Sequence, residues 1–125
     1  MFGVKPYWTA FGAFLILFTS YSFFCTLLGD PGIPEQIFTR VTEGTVSEVK
    51  TDSNCEVCCI DTPSNAIHCN LCRVCILGHD HHCVFFSKCI GQGNIDAFNN
   101  TISFTIATIF YLCLCFGLMV LTSDI

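Results

Sequence analysis

CEVCCIDTPSNAIHCNLCRVCILGHDHHCVFFSKC, residues 55–89, holds one pattern twice. Cys-x2-Cys-x9-His-x6-Cys is filled by Cys55, Cys58, His68 and Cys75, and again, 14 residues on, by Cys69, Cys72, His82 and Cys89. Each copy supplies three thiolates and one imidazole, which is a full tetrahedral ligand set for zinc. Because the copies interleave, two structural zinc sites would be stacked in one small module. A disulfide framework would need no histidines in matching register. Neighbouring cysteines used in simple sequence order would also build two sites, and spacing alone does not choose between the partitions.

Cys83 repeats Cys69 at the same offset, but Phe86 stands where its partner cysteine would be. It closes Asp80-His81-His82-Cys83, where a cysteine without a metal sits beside a histidine and a carboxylate, the groups from which a thiol nucleophile is made. If residues 80–83 are extended, side chains alternate, so His81 and Cys83 share one face while Asp80 and His82 share the other. Asp80 then has two available tasks, orienting His81 or accepting a hydrogen bond from the metal ligand His82. The sequence leaves both open, and it equally leaves Cys83 open to being a spare ligand. Cys59 lies outside the repeat, His79 reads as a surface residue, and Cys25, Cys113 and Cys115 read as small hydrophobes in apolar helices.

Outward from the module the chain turns apolar. Neither Trp8 to Leu28 nor Ile102 to Thr122 contains a charged residue, and each run has about the 20 residues a helix needs to cross the hydrocarbon layer. A cleaved signal peptide is the alternative for the first run, but signal h-regions are shorter, about 7–15 residues. The expected fold class is therefore an α-helical integral membrane protein, with transmembrane helices at 8–28 and 102–122 flanking a cysteine-rich two-zinc module at 55–98. The first helix should stop at Gly29 or Asp30, because Pro31 lacks an amide hydrogen and disfavours helix in the residue before it. Asp30-Pro31-Gly32 reads as an ordinary turn, and the rest of 29–54 as a polar linker, mostly loop. In the module, short strands and knuckle turns are expected, folding together with metal binding. Gly91, Gly93 and Asn94 make an irregular return toward the second helix.

The formal net charge is −5. Asp30, Glu35, Glu43, Glu48, Asp52, Glu56 and Asp61 outnumber Arg40 and Lys50 ahead of the second ligand pattern, and no basic stripe flanks either site, which argues against nucleic acid as a partner. Arg40, Lys50, Arg73 and Lys88 lie between the apolar runs and only Lys5 outside them, which points to a cytosolic loop. Thiolate sites also persist in a reducing compartment.

The DHHC segment, the following Cys89-Ile90-Gly91 and Asn94-x3-Phe98, and Asp30-Pro31-Gly32 after an apolar helix resemble the DHHC family of protein S-acyltransferases, the palmitoyltransferases. The resemblance implies an integral membrane enzyme of the endomembranes (ER or Golgi) or plasma membrane. Two structural zinc ions would sit in the repeat, and acyl-CoA, palmitoyl-CoA above all, would be the acyl donor. Cys83 would be the nucleophile, His81 its base and Asp80 the polarising partner, with membrane lipid and proteins bearing cytosolic-face cysteines as partners. The chain departs from the family pattern in several places. Family members usually have four membrane helices and a Thr-Thr-x-Glu motif. Val84 and Phe85 replace a usual Pro-Trp pair, Thr62 and Asn65 stand where basic residues are common, and Lys88 replaces a common asparagine. It reads as a divergent short form or an incomplete gene model. The alternative function is a non-catalytic, zinc-stabilised membrane partner in an oligomer with a full-length acyltransferase.

Overall fold

The computed structural model describes residues 6–37, 55–58 and 61–123. Most of the linker, Lys5 and Cys59 lie outside the described residues. Helix α1 spans Pro6–Leu28 and helix α2 spans Ile95–Ser123, on either side of the cysteine-rich module. Both helices are long and apolar enough to cross a membrane. At about 1.5 Å per residue α1 is roughly 35 Å long, enough for a hydrocarbon layer of about 30 Å. Proline is suited to the first position of α1, where its missing N–H costs nothing. Hydroxyls inside the helices are satisfied by the backbone one turn earlier: Thr19 donates to Leu15 O at 2.7 Å, Ser20 to Ile16 O at 2.8 Å and Thr108 to Phe104 O at 2.7 Å. That is how a polar side chain is accommodated where water is absent.

The first compact unit comprises residues 1–25 and 97–125. In it the helices run antiparallel, with Trp8 against Tyr111 and Phe18 against Phe104. The Tyr111 hydroxyl donates to Trp8 O at 2.6 Å, and Thr19 Oγ1 lies 3.1 Å from Thr108 Oγ1. Gly12 allows the close approach, because a Cβ there would come within 2.9 Å of the Tyr111 ring. The outward faces carry exposed Leu17, Phe110, Phe116 and Leu121, apolar surface suited to lipid.

The second unit, Thr26–Asp96, holds two antiparallel hairpins. Strand β1 (Ala66–Cys69) pairs with β2 (Val74–Leu77) so that His68 faces Cys75. Strand β3 (His81–Cys83) pairs with β4 (Lys88–Ile90) so that His82 faces Cys89 and Cys83 faces Lys88. The sequence period of 14 reappears in the backbone. Arg73 and Ser87, each near the end of its hairpin turn, both take left-handed φ angles, 55° and 51°. The apolar core is small, with Ile76 and Ile90 fully buried beside Cys69, Cys75 and Cys89.

Asp30-Pro31-Gly32 is more than an ordinary turn. Asp30 Oδ1 accepts from the amides of Gly32 (2.7 Å) and Ile33 (2.9 Å), closing the turn after α1. The turn then joins the module: Leu77 N donates to Gly32 O at 2.8 Å and Gly93 N to Pro31 O at 3.2 Å. Gly91 is confined by the same clasp, since a Cβ would lie 2.5 Å from both Ile76 Cγ2 and Pro31 O. Buried Asn94 accepts from Gly91 N and donates to Cys89 O, tying β4 to the start of α2. A short-range sequence pattern cannot reveal partners 45 and 62 residues away. Two smaller corrections follow. Residues 35–37 are helical, within the expected loop. His79 is half-buried rather than a surface residue, with its Nε2 enclosed and lacking a hydrogen-bond partner among the described residues.

Candidate metal centres and the Asp-His-His-Cys segment

The strand geometry explains how interleaved ligands reach two separate sites. His68 and Cys69 are consecutive in β1, so their side chains leave on opposite faces. His68 joins Cys75 across the hairpin and meets Cys55 and Cys58; Cys69 joins Cys72 and meets His82 and Cys89 from the second hairpin. In each group the ligand atoms all lie within 4.8 Å of one another.

The separations fit zinc. Zn–S bonds of about 2.3 Å and Zn–N bonds of about 2.0–2.1 Å give tetrahedral edges of roughly 3.8 Å between sulfurs and 3.6 Å between sulfur and nitrogen. In the first group His68 Nδ1 lies 3.7, 3.3 and 3.8 Å from the sulfurs of Cys55, Cys58 and Cys75, and Cys58 and Cys75 are 3.6 Å apart. In the second, His82 Nδ1 lies 3.7, 3.3 and 3.8 Å from Cys69, Cys72 and Cys89, and Cys72 and Cys89 are 3.3 Å apart. The two groups are near copies, and the interleaved partition is the one the fold brings together. Both histidines present Nδ1 to the sulfurs, which leaves Nε2 as the ring nitrogen away from the site.

The turns also supply charge stabilisation. The Cys58 amide donates to Cys55 Sγ at 3.3 Å and the Cys72 amide to Cys69 Sγ at 3.5 Å. Burial would push the Cys69 thiol up, but the amides of Cys72 and Leu71, with Cys89 and His82, outweigh it and bring it down to about 6. Cys55 is lowered in the same way. Cys75 and Cys89 are raised, by burial first and then by the neighbouring sulfurs, as expected where several thiolates crowd together. A dication is the natural relief for such a cluster.

Cys83 heads a third turn of this type. Its sulfur accepts from the amides of Phe86 and Phe85, the positions that correspond to Cys72 and Leu71. Burial acts to raise this thiol, yet the two amides and the His81 ring together lower it. Of the two tasks open to Asp80, the structure shows contact with His81, with Asp80 Oδ2 3.0 Å from His81 Nδ1. His81 is raised, by the Asp80 hydrogen bond first and the Cys83 hydrogen bond second, against a smaller effect of burial. With Nδ1 held by Asp80, Nε2 is left to exchange a proton with the thiol. Cys83 itself is only 6% exposed, whereas Val84 and Phe85 on the adjoining turn are among the most exposed apolar residues, Phe85 at 96%. Sequence reasoning missed the Lys88 side chain, whose Nζ donates to Leu27 O at 3.0 Å and to Gly29 O. Its only sequence signal was its departure from the family's asparagine.

A family model described as DHHC palmitoyltransferase matches residues 48–124. The chain is 34% identical over 90 residues to the palmitoyltransferase ERF2 of Candida glabrata, covering 58% of this chain and 28% of that protein. It is 37% identical over 83 residues to the palmitoyltransferase ZDHHC23-B of Danio rerio, covering 66% of this chain and 17% of that one. With the probable protein S-acyltransferase 12 of Arabidopsis thaliana the figures are 32% over 95 residues, 68% and 33%. The chain thus spans a third or less of the length of these relatives. The matched segment contains both metal centres, the Asp80–Cys83 segment and the whole of α2. This is a membrane protein with two Cys/His centres that fit zinc, and it belongs to the DHHC palmitoyltransferase family.

Proposed function

We propose that this chain carries out protein S-acylation through an acyl-enzyme on Cys83. The observation that carries the reading is the Asp80–His81–Cys83 line, in which a carboxylate holds Nδ1 of an imidazole that bonds a thiol with no place in either metal centre. The Cys83 sulfur attacks the thioester carbonyl of a long-chain acyl-CoA, the C–S bond to coenzyme A breaks, and CoA leaves as the thiolate. His81 takes the Cys83 proton and returns it to the departing sulfur. In the second half a protein cysteine gives its proton to His81, attacks the Cys83 thioester and takes the acyl group, which restores the Cys83 thiol. Asp80 keeps His81 oriented and stabilises its protonated form. The two Cys/His centres would hold zinc as structure, and in the second His82 and Cys89, as its ligands, would be fixed together with the hairpin that bears Cys83.

The names of the relatives support palmitoyl as the acyl group. The distribution of Lys and Arg supports a cytosolic face for the module. Labelling the full chain in vesicles with a clickable palmitoyl-CoA tests the reading. Wild type should gain a hydroxylamine-sensitive adduct, Cys83→Ser should have none while keeping both zinc ions, and His81→Ala should form it about 10²–10⁴-fold more slowly. Loss of zinc from Cys83→Ser, or a wild type that never acquires the adduct, would favour a non-catalytic partner of another acyltransferase.

A further inference from the structure

Helix α1 ends without a basic residue in its last turn. Its final carbonyls lack intrahelical donors and sit at the negative end of the helix dipole. Lys88 answers both needs from 59 and 61 residues away, its ammonium donating to Leu27 O at 3.0 Å and to Gly29 O. Lys88 is the first residue of β4 and the direct cross-strand neighbour of Cys83. The clasp made by Gly32 and Pro31 holds Leu77 and Gly93, which lie outside the β3–β4 hairpin. The clasp reaches neither β3 nor the first residue of β4, and Lys88 ties that hairpin to the helix end.

We propose that Lys88 is a positioning residue that fixes the Cys83-bearing hairpin to the end of α1, so that the thiol meets a bilayer-held acyl donor in register. The proposal rests on the acyltransferase reading above. An acyl-CoA whose chain lies among lipids has little freedom in the height of its thioester. A nucleophile in a three-residue strand needs an anchor at the membrane-proximal end of the apolar run, and the end of α1 is such a point. A small water-soluble alkylating agent has no such demand. The two reactions of one thiol therefore separate placement from intrinsic reactivity.

The test uses the full chain in phosphatidylcholine vesicles as wild type, K88M and K88R. Each is assayed for zinc content, for iodoacetamide modification of Cys83 by peptide mass spectrometry, and for the acyl adduct with palmitoyl-CoA. K88M should keep two zinc ions and the wild-type alkylation rate but acylate about 10- to 100-fold more slowly, the scale of an ångström-sized misplacement. K88R keeps the charge and the donors and should recover most of the rate. Acylation of K88M at the wild-type rate overturns the proposal, as does a parallel fall in alkylation or a loss of zinc. A wild type that takes no acyl group sinks the acyltransferase reading and this proposal with it; an active wild type matched by K88M sinks this proposal alone.

Discussion

Substituting Cys69 and Cys75 separately tests the crossed ligand assignment on which the module depends. In simple sequence order Cys69 would belong with Cys55, Cys58 and His68, and Cys75 with Cys72, His82 and Cys89. The fold crosses them: Cys75 Sγ is 3.6 Å from Cys58 Sγ, and Cys69 Sγ is 3.7 Å from His82 Nδ1. The energetic weight of each site is large beside the rest of the core. Fully buried Ile76 and Ile90 contribute roughly 1.5–3 kcal/mol each. A structural zinc site is worth roughly 10–16 kcal/mol. The apolar core cannot hold a ligand set closed once its metal is gone, so each site should open by itself. In Cys69→Ser, mass spectrometry after alkylation should find Cys72 and Cys89 modified and Cys55, Cys58 and Cys75 protected, with one zinc remaining. In Cys75→Ser the pattern should reverse, exposing Cys55 and Cys58 and sparing Cys72 and Cys89. Exposure of Cys55 and Cys58 in Cys69→Ser would refute the crossing, and opening of every ligand in either variant would refute the independence of the sites.

Asp80→Asn should move the pH dependence of Cys83 alkylation. Asp80 raises His81, protonated His81 lowers Cys83, so removing the carboxylate lets the imidazolium lose its proton earlier and the rising limb for thiolate should shift to higher pH; an unmoved profile would refute the coupling. Gly91→Ala should destabilise the module by about 1–3 kcal/mol, since its Cβ would strike Ile76 and Pro31 O, whereas Gly117→Ala meets nothing within 4 Å and should be neutral in a thermal-unfolding assay. Protease added outside sealed microsomes should cut between residues 33 and 100 if the module faces the cytosol, and protection of that stretch would reverse the orientation.

The parts of this molecule legible in its sequence are those fixed by local period and ligand chemistry. Two charge-free runs announce two long apolar helices, and a repeat of 14 residues announces two metal centres whose members the fold assembles as spaced. What escaped is what depends on distant backbone. The amides that donate to the Gly32 and Pro31 carbonyls belong to Leu77 and Gly93, and the carbonyls that accept from Lys88 belong to Leu27 and Gly29. No periodicity encodes such pairs, because a backbone group looks the same at every residue. His79 was misread for a related reason: its surroundings are set by tertiary packing, while its sequence neighbours are polar.

The repeat also explains why the Cys83 thiol is lowered. Cys55, Cys69 and Cys83 each begin a tight turn in which the amides two and three residues on point at the sulfur, supplied by Val57 and Cys58, then Leu71 and Cys72, then Phe85 and Phe86. In the first two turns the second position carries another sulfur, and the accumulated negative charge fits a dication. In the third, buried Phe86 offers no ligand, so the turn keeps its donors but cannot complete a metal shell. The compensating cation must then come from a side chain, and His81, held by Asp80 two residues before the thiol on the same face of β3, is placed to supply it. Phe86 stands where Cys58 and Cys72 stand in the other two turns, so the third turn lacks the second sulfur of a metal shell, and under the acyl-enzyme proposal its sulfur would be the one left to attack a thioester.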